Sequence, residues 1–479
     1  MKNKQLIMIM AMLLIAMLPA AICVYADALT EAAEKNDVAE IQRPIAEGAD
    51  VNARDYKKGW TALMYAAEKN AADAAKLLIE AGTDVNAKEG HSWNSSSYDR
   101  TALMLAAEKN AVDAAKLLIE AGADMNVKNE YGNTALMLAI QNKKENVAKL
   151  LMKAGAEMDF LSAICLNRSD VVQRCIKAGA DVNARSGRDV WTMLMYAAVW
   201  KATDAAKTLI AAGADANAKL VYGDTALMYA AEGNALDIAK VLIEAGADSD
   251  ATNGKGKTAL MLAAEKNAAD VTRALIDGGT YVEAKDNDGD TALMLAAKNN
   301  AVDSIKVFIE TGVDLNARGD KNVTALMIAA EKNTLNAAKM LIEAGAYVNA
   351  TSKNGKTALM CAADSNAVDV ANLLIKAGAD VNVKHSNGMT ALMCAADSNA
   401  VDVANLLIKA GADVNVKHNN GMSALMCAAE NNAVNVAKLL IEAGADVNVV
   451  DKKGKTALMY AEECKAWGVA SLLKKAGAQ

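Results

Sequence analysis

The sequence predicts an all-α solenoid of stacked helix-turn-helix units joined by extended, β-hairpin-like fingers. Two observations support this fold class. The tetrapeptide Thr-Ala-Leu-Met, or a near copy of it, recurs at steps of 33 residues from Thr192 onward. Aromatic residues make up 4 % of the chain and prolines number 2, a composition that favours helices over strands. A repeat of this length predicts units that bury their apolar faces only by stacking on their neighbours.

One repeat, residues 101–133, shows how the pattern predicts each element. Thr101 is a helix N-cap residue, and the apolar positions that follow it predict a short inner helix that ends at Asn110. A second helix carries Leu118 on its apolar face, and Gly122 supplies the left-handed residue that ends this helix. The polar remainder has turn chemistry at its tip and predicts the finger.

The segments TALMLAAEKN (residues 101–110) and LLIEAGTDVNAK (residues 77–88) resemble the ankyrin repeat in a bacterial form. The resemblance extends over residues 27–479. It implies paired helices with fingers and a non-enzymatic, protein-binding role in which finger tips and inner-helix ends contact the partner. The chain departs from the family at Thr-Pro-Leu-His, which is Thr-Ala-Leu-Met here. Methionine packs where histidine would form hydrogen bonds, so we expect less of the family's usual polar bracing between repeats.

Residues 1–26 predict a signal peptide. Lys2 and Lys4 precede an uncharged apolar segment, which ends in small residues at positions 24–26. We therefore expect export to the periplasm or the medium, with no membrane insertion after cleavage. Two alternatives stay open, namely an uncleaved membrane anchor and a lipid anchor on Cys23.

The rest of the chain predicts one continuous array of about 14 repeats. N-terminal repeats occupy residues 27–157 and C-terminal repeats residues 158–479. Residues 153–180 have lost their finger, since Gly155 is followed almost at once by the next helix. We expect a bend at residues 153–160.

Composition and motifs argue against several functions. The net charge is -7 and no block of lysine or arginine occurs, which disfavours nucleic-acid binding. His385 and His418 hold the same finger position in two near-identical repeats, and the repeat spacing is too long for both to bind one metal ion. No nucleophile elbow, phosphate-binding loop or metal-spaced Cys/His cluster occurs. Residues 286–290 begin like a calcium loop, but Ala297 stands where the ligating glutamate is needed, so a polar turn is the simpler interpretation. We expect no enzyme activity, cofactor or metal.

Three of the cysteines, Cys361, Cys394 and Cys427, recur at one repeat position. Stacked helices lie about 8–10 Å apart, whereas a disulfide needs Cα atoms within about 7 Å. We expect these cysteines to be free and to pack as small apolar core residues.

The position directly before the motif threonine varies freely, and tryptophan occupies it twice, at Trp60 and Trp191. Tryptophan is a frequent hot-spot residue in interfaces, so both are candidate partner contacts. A lengthened finger, residues 89–100, adds Trp93 and Tyr98 as weaker candidates.

A second apolar feature lies at the ends of two inner helices. Val199 and Trp200 stand where most repeats carry charged or polar residues, and Cys165 and Leu166 hold the same positions one repeat earlier. We expect these four side chains to lie side by side. Two interpretations stay open: the patch contacts a partner, or it packs internally and seals the joint left by the missing finger.

The sequence thus predicts an exported, monomeric scaffold that presents a concave face of finger tips and inner helices to a protein partner of unknown identity. The alternative is an envelope spacer or stabiliser without a tight specific partner.

Overall fold

The computed structural model describes residues 26–90, 99–186 and 190–479. The chain divides into two compact units, which we call the N-terminal stack (up to Asp181) and the C-terminal stack (from Val182). Both are built from pairs of short helices, an inner helix followed by an outer helix, with a finger between successive pairs. The predicted all-α repeat architecture is confirmed. The described residues do not include Trp93 and Tyr98. They also do not include residues 1–25, among which is Cys23.

In the N-terminal stack, the first described helix is α1, which covers residues 26–34. The helices that follow are α2 (Val38–Ala46), α3 (Ala62–Lys69), α4 (Ala72–Glu80), α5 (Ala102–Lys109), α6 (Val112–Glu120), α7 (Ala135–Gln141), α8 (Glu145–Lys153), α9 (Phe160–Cys165) and α10 (Ser169–Lys177).

The C-terminal stack opens with two short antiparallel strands, β1 (Arg185–Ser186) and β2 (Trp191–Thr192). Its helices are α11 (Met193–Val199), α12 (Thr203–Ala211), α13 (Ala226–Glu232), α14 (Leu236–Glu244), α15 (Ala259–Glu265), α16 (Ala269–Asp277), α17 (Ala292–Lys298), α18 (Val302–Glu310), a 3-10 turn (Asp320–Asn322), α19 (Ala325–Glu331), α20 (Leu335–Glu343), α21 (Ala358–Asp364), α22 (Val368–Lys376), α23 (Ala391–Asp397), α24 (Val401–Lys409), α25 (Ala424–Glu430), α26 (Val434–Glu442), α27 (Ala457–Glu463) and α28 (Trp467–Lys475).

The helix ends follow the predicted capping chemistry. The Thr101 hydroxyl accepts a hydrogen bond from the Met104 backbone N–H at 3.3 Å, which caps α5. In return, the Thr101 N–H approaches the Met104 sulfur at 3.5 Å, so methionine supplies a weak acceptor as well as packing. Helix α5 ends at Asn110 with φ 60°, and Gly122 follows α6 with φ 85°. Both residues adopt the left-handed conformation that stops a helix.

The core of each stack lies between its two layers of helices. In α5, Leu103 and Ala106 are buried, and so is Leu118 of α6 in the outer layer. Inner helices pack on inner helices and outer helices on outer helices of the neighbouring repeat. Alanine at the contact positions keeps the inner helices close together. Each buried leucine or methionine contributes about 1.5–3 kcal/mol relative to its exposed state.

Asparagine side chains at the finger bases join successive repeats. The Asn382 side-chain oxygen accepts from the Asp413 backbone N–H at 2.9 Å, and its amide nitrogen donates to the Gly411 carbonyl at 3.3 Å. We call this the asparagine ladder. The same side-chain-to-backbone bond joins Asn52 to Asp84, Asn86 to Asp124, Asn126 to Glu157, Asn183 to Asp215, Asn217 to Asp248, Asp250 to Tyr281, Asn316 to Tyr347, Asn349 to Asp380, Asn415 to Asp446 and Asn448 to Gln479.

A second set of asparagines braces the helices. Asn70, the left-handed residue after α3, accepts from the Ala114 backbone N–H at 3.1 Å and donates to the Asp113 carboxylate at 3.0 Å. It therefore caps the outer helix of the following repeat. Asn36, Asn267 and Asn300 make the equivalent bond to their own successors. Polar bracing between repeats is thus present, and asparagine provides it where the motif histidine is missing.

The recurring cysteines are free and buried, as the spacing predicts. Burial raises the pKa of the Cys361 and Cys427 thiols to about 12, and it raises the pKa of Cys394 as well. At neutral pH all three therefore remain protonated thiols, which are poor nucleophiles.

Candidate partner-binding face

The fingers of the C-terminal stack are held in register by backbone hydrogen bonds. The Asn287 N–H donates to the Lys255 carbonyl at 3.1 Å, and the Ser386 N–H donates to the Asn354 carbonyl at 2.8 Å. Within a finger, the Asp286 side chain accepts from the Asp290 backbone N–H at 2.9 Å, which is a polar turn. We call the fingers at residues 252–257, 285–290, 318–323, 351–356, 384–389, 417–422 and 450–455 the finger row.

Glycine is required where one finger touches the next. Gly421 has φ 87°, and a Cβ atom there would lie 2.9 Å from the Lys452 backbone nitrogen. Gly388 is equally close to Asn419. Any side chain would push neighbouring fingers apart, so these glycines fix the spacing of the row.

The residue before the motif threonine faces the residue eight positions later, at the end of the inner helix of the same repeat. Lys257 forms an ion pair with Glu265 at 2.6 Å, and Lys298 forms one with Asp290 at 3.5 Å. We call this arrangement the finger–helix pair. It recurs as Arg100 with Glu108, Lys356 with Asp364, Lys455 with Glu463 and, without charge, Asn133 with Gln141. The variable position before the motif threonine is therefore a neighbour in space of the end of the inner helix.

Trp191 and Val199 occupy the finger–helix pair positions of one repeat, so both of these positions are apolar there. The Trp191 ring centroid lies 5.3 Å from that of Tyr196 and 4.7 Å from that of Tyr229 in the next repeat. Trp191, Val199 and Trp200 are partly exposed. The Trp191 ring is thus packed against two tyrosines and keeps part of its surface exposed.

The next finger carries two strongly exposed apolar side chains that the sequence interpretation missed. Val221 is 92 % exposed and Tyr222 is 77 % exposed. The signal was available, because VYGD places two apolar residues at a tip where most fingers carry lysine, asparagine or aspartate. Tyr229 was missed as well, and its contact with Trp191 crosses between repeats. We call Trp191, Val199, Trp200, Val221, Tyr222 and Tyr229 the aromatic face.

Trp60 holds the same finger position as Trp191 but is only 4 % exposed. Its indole N–H donates to the Glu89 carboxylate at 2.8 Å, and its ring packs on Tyr65 at 5.1 Å. The Lys58 ammonium lies 3.9 Å from the centre of the ring. Because the base of the lengthened finger covers Trp60, this side chain offers a partner little surface, and its role as a contact stays a prediction.

The fingerless repeat places Cys165 and Leu166 at the end of α9. Asp159 caps this helix by accepting from the Ser162 backbone N–H at 2.7 Å, and the helix has 6 residues. Cys165 is buried, which raises the pKa of its thiol, and Leu166 is partly exposed. That these two residues adjoin Val199 and Trp200 stays a prediction, as does the bend at residues 153–160.

Across residues 26–90, 99–186 and 190–479, no cluster of three or more histidine, cysteine, aspartate or glutamate side chains could hold a metal ion. Over the same residues, every helix is too short or too polar to cross a bilayer.

Stacked helix pairs with a hydrogen-bonded finger row define a repeat protein of the interaction-scaffold class. A family model described as ankyrin repeats (3 copies) matches residues 13–89, 89–162, 160–253, 227–319, 326–418 and 392–479. The chain therefore belongs to the ankyrin-repeat family. Among curated proteins, none matches the chain significantly.

Proposed function

We propose that this chain is an exported, non-enzymatic scaffold that binds a protein partner through the aromatic face of the C-terminal stack. The ankyrin repeats support a protein-binding role, and the aromatic face supports its location. The observation that carries the proposal is the support of Trp191 by Tyr196 and Tyr229. A ring held in this way loses little conformational freedom when it is covered, which lowers the cost of binding.

The surroundings of the aromatic face favour a protein partner. The Trp191 ring packs on Tyr196 and Tyr229, and the Tyr222 carbonyl accepts a hydrogen bond from the Gly254 N–H of the finger row. Repeats further along the row carry charged finger–helix pairs. A central apolar patch with a charged rim is the usual composition of a protein interface.

The test is partner capture by the mature chain. We expect specific, saturable capture that falls when Trp191, Trp200 and Tyr222 are changed to alanine together. Tyr281→Ala with Tyr347→Ala is the matched control, because these two tyrosines are also strongly exposed but lie at finger bases outside the aromatic face. A photo-crosslinking residue at position 222 should label the same partner. Capture that is equal in both variants would overturn the proposal.

The alternative function is an envelope spacer without a tight partner. The many exposed salt bridges and the uniform repeat framework are compatible with it. Absence of saturable capture at high concentration, with the variants folded by circular dichroism, would favour the spacer.

Export rests on the apolar N-terminal segment and its two lysines, Lys2 and Lys4. Mass spectrometry of the mature N-terminus tests it. A chain that begins at residue 27 supports cleavage, a retained Met1 supports an anchor, and a lipid on Cys23 supports lipidation.

A further inference from the structure

Five successive fingers of the finger row are basic in an acidic protein. The fingers from residue 318 to residue 455 contain 9 lysines and arginines and 2 aspartates, although the whole chain has a net charge of -7. We call these five fingers the basic row. They lie at residues 318–323, 351–356, 384–389, 417–422 and 450–455.

Most of these cations are available to a partner. Two of them are used internally, since Lys356 pairs with Asp364 and Lys455 with Glu463. Arg318 donates to the Thr351 carbonyl at 2.9 Å. The six others are exposed and, among the residues the structure describes, have no carboxylate within 4.0 Å: Lys321, Lys353, Lys384, Lys417, Lys452 and Lys453.

The fingers that carry the six cations are held at regular intervals. Within them the cations occupy three positions: the first for Lys384 and Lys417, the third for Lys353 and Lys452, and the fourth for Lys321 and Lys453. Each finger bonds to the next through its backbone: Lys353 N–H to the Lys321 carbonyl at 2.6 Å, Ser386 to Asn354 at 2.8 Å, Asn419 to Asn387 at 2.8 Å and Lys452 to Asn420 at 2.8 Å. Stacked helices lie about 8–10 Å apart, and an extended polypeptide advances about 3.3 Å per residue. Each repeat therefore matches about three residues of an extended chain.

A second row of charges limits what can bind. The inner-helix ends next to the basic row carry exposed carboxylates at Asp364, Asp397, Glu430 and Glu463. The ion pairs Lys356–Asp364 and Lys455–Glu463 show that the two rows are adjacent. A duplex nucleic acid, with phosphates along both edges, would be repelled by these carboxylates. A polypeptide can turn its carboxylates to the fingers and neutral or cationic side chains to the helices.

We propose that the basic row binds an extended acidic polypeptide segment with a carboxylate at about every third residue. This inference rests on the proposed function, because it assigns a chemical class to the partner or to one segment of it. The aromatic face would supply the apolar anchor, and the basic row would orient the segment and accelerate its association.

The test uses the full mature chain and fluorescence anisotropy of labelled peptides of about 12 residues, which span four steps of the row. One peptide has glutamate at every third position, and the second has the same composition with its glutamates adjacent. We expect the spaced peptide to bind more tightly, with an affinity that falls as salt increases.

Charge-reversal variants test whether the basic row is the surface that binds the peptide. Lys321→Glu, Lys353→Glu, Lys384→Glu and Lys417→Glu combined should weaken the spaced peptide about tenfold or more. The matched control reverses four exposed outer-helix lysines of the same stack, at Lys207, Lys240, Lys376 and Lys409. It changes the net charge by the same amount and should weaken binding far less. Equal effects of the two sets would overturn the proposal, because they would show a non-specific dependence on net charge.

Two further outcomes are decisive. Single-stranded DNA of the same length that binds as tightly as the peptide, with the same dependence on the four lysines, would replace the acidic polypeptide by a nucleic acid. The second outcome is partner capture that is lost in the aromatic-face variant yet retained when the four lysines of the basic row are reversed. That result would overturn the proposal that the basic row binds an acidic segment, and it would leave the proposed function standing.

Discussion

The Trp60 indole nitrogen donates a 2.8 Å hydrogen bond to Glu89, a carboxylate at the base of the following, lengthened finger. Arg100, at the other base of that finger, forms ion pairs with Glu89 and with Glu108, both at 3.1 Å. The Glu89 N–H also donates to the Arg100 carbonyl at 2.8 Å. The buried Glu89 carboxylate therefore bonds to both Trp60 and Arg100. These contacts hold together the two ends of the lengthened finger, which has 12 residues.

Replacing this carboxylate should destabilise the fingers around it. Glu89→Ala leaves the Trp60 N–H and part of the Arg100 guanidinium without an acceptor, and we expect a loss of about 3 kcal/mol of local stability. Hydrogen exchange of peptides that cover residues 55–67 measures it. Lys149→Ala, which breaks an exposed pair with Glu145, is the control and should change stability by less than about 0.5 kcal/mol. Similar exchange in the two variants would contradict the structural role of Glu89.

The finger contact at Gly421 gives a prediction with a closely matched control. Gly421 and Gly411 share a φ of 87°, but an added methyl group would have neighbours within 4 Å only at Gly421, where Lys452 and Asp451 approach it. Alanine should cost about 1–2 kcal/mol at either site from backbone strain, and about 1–3 kcal/mol more at Gly421 from the clash. Urea unfolding compares the two variants. Equal losses would show that the fingers separate without cost.

The asparagine ladder should carry measurable coupling between repeats. Asn382→Ala removes the bonds to Asp413 and Gly411, and we expect a loss of about 1–3 kcal/mol that is concentrated in the repeats after residue 390. Asn354→Ala is the control, because that side chain is exposed and only its backbone carbonyl takes part in the finger bond. Hydrogen exchange resolves where the array loosens. Protection that is unchanged at residues 411–413 would contradict the ladder.

The buried cysteines should resist alkylation until high pH. Burial raises the pKa of Cys361 and Cys427 to about 12, so at pH 8 about one thiol in 10⁴ is ionised and reactive. Cys464 is exposed and serves as the internal control. Mass spectrometry after brief treatment with iodoacetamide should find Cys464 labelled and the buried cysteines unlabelled. Because burial raises the pKa of these thiols, it also sets how the stability of the protein depends on pH. Unfolded thiols ionise near pH 8.5, so the contribution of these cysteines to stability is complete below that pH and falls as the pH rises toward 12. Rapid labelling of Cys361 at pH 8 would contradict its burial.

Local chemistry was enough to predict the repeat. The cap at Thr101, the left-handed Asn110 and the left-handed Gly122 each follow from one residue and its immediate neighbours. Their 33-residue recurrence then implies stacking, because a single pair of helices cannot cover its own apolar side.

The candidate site was harder to predict, because exposure depends on residues that are distant in sequence. Trp60 and Trp191 occupy the same repeat position, yet Trp60 is covered by Glu89 and Arg100 of a lengthened finger, whereas Trp191 rests on Tyr229 and keeps an open side. The finger–helix pair was missed for a similar reason. The two residues of the pair are eight positions apart, a spacing that matches neither one helix turn nor a strand. One of them lies in the finger and the other at the end of the inner helix, so only the folded repeat brings them together.

The asparagine ladder has a consequence for how such a gene changes over time. In the repeats joined by Asn349, Asn382 and Asn415, each repeat carries its own acceptor and presents its own backbone N–H to the repeat before it, so one repeat can follow another without new chemistry at the junction. Residues 357–389 and 390–422 differ only in Ser386 against Asn419. Tandem copying or loss of these whole repeats thus lengthens or shortens the protein and leaves the junctions intact. An insertion within a finger also leaves its junction intact, because Asn86 still bonds to Asp124 across the lengthened finger.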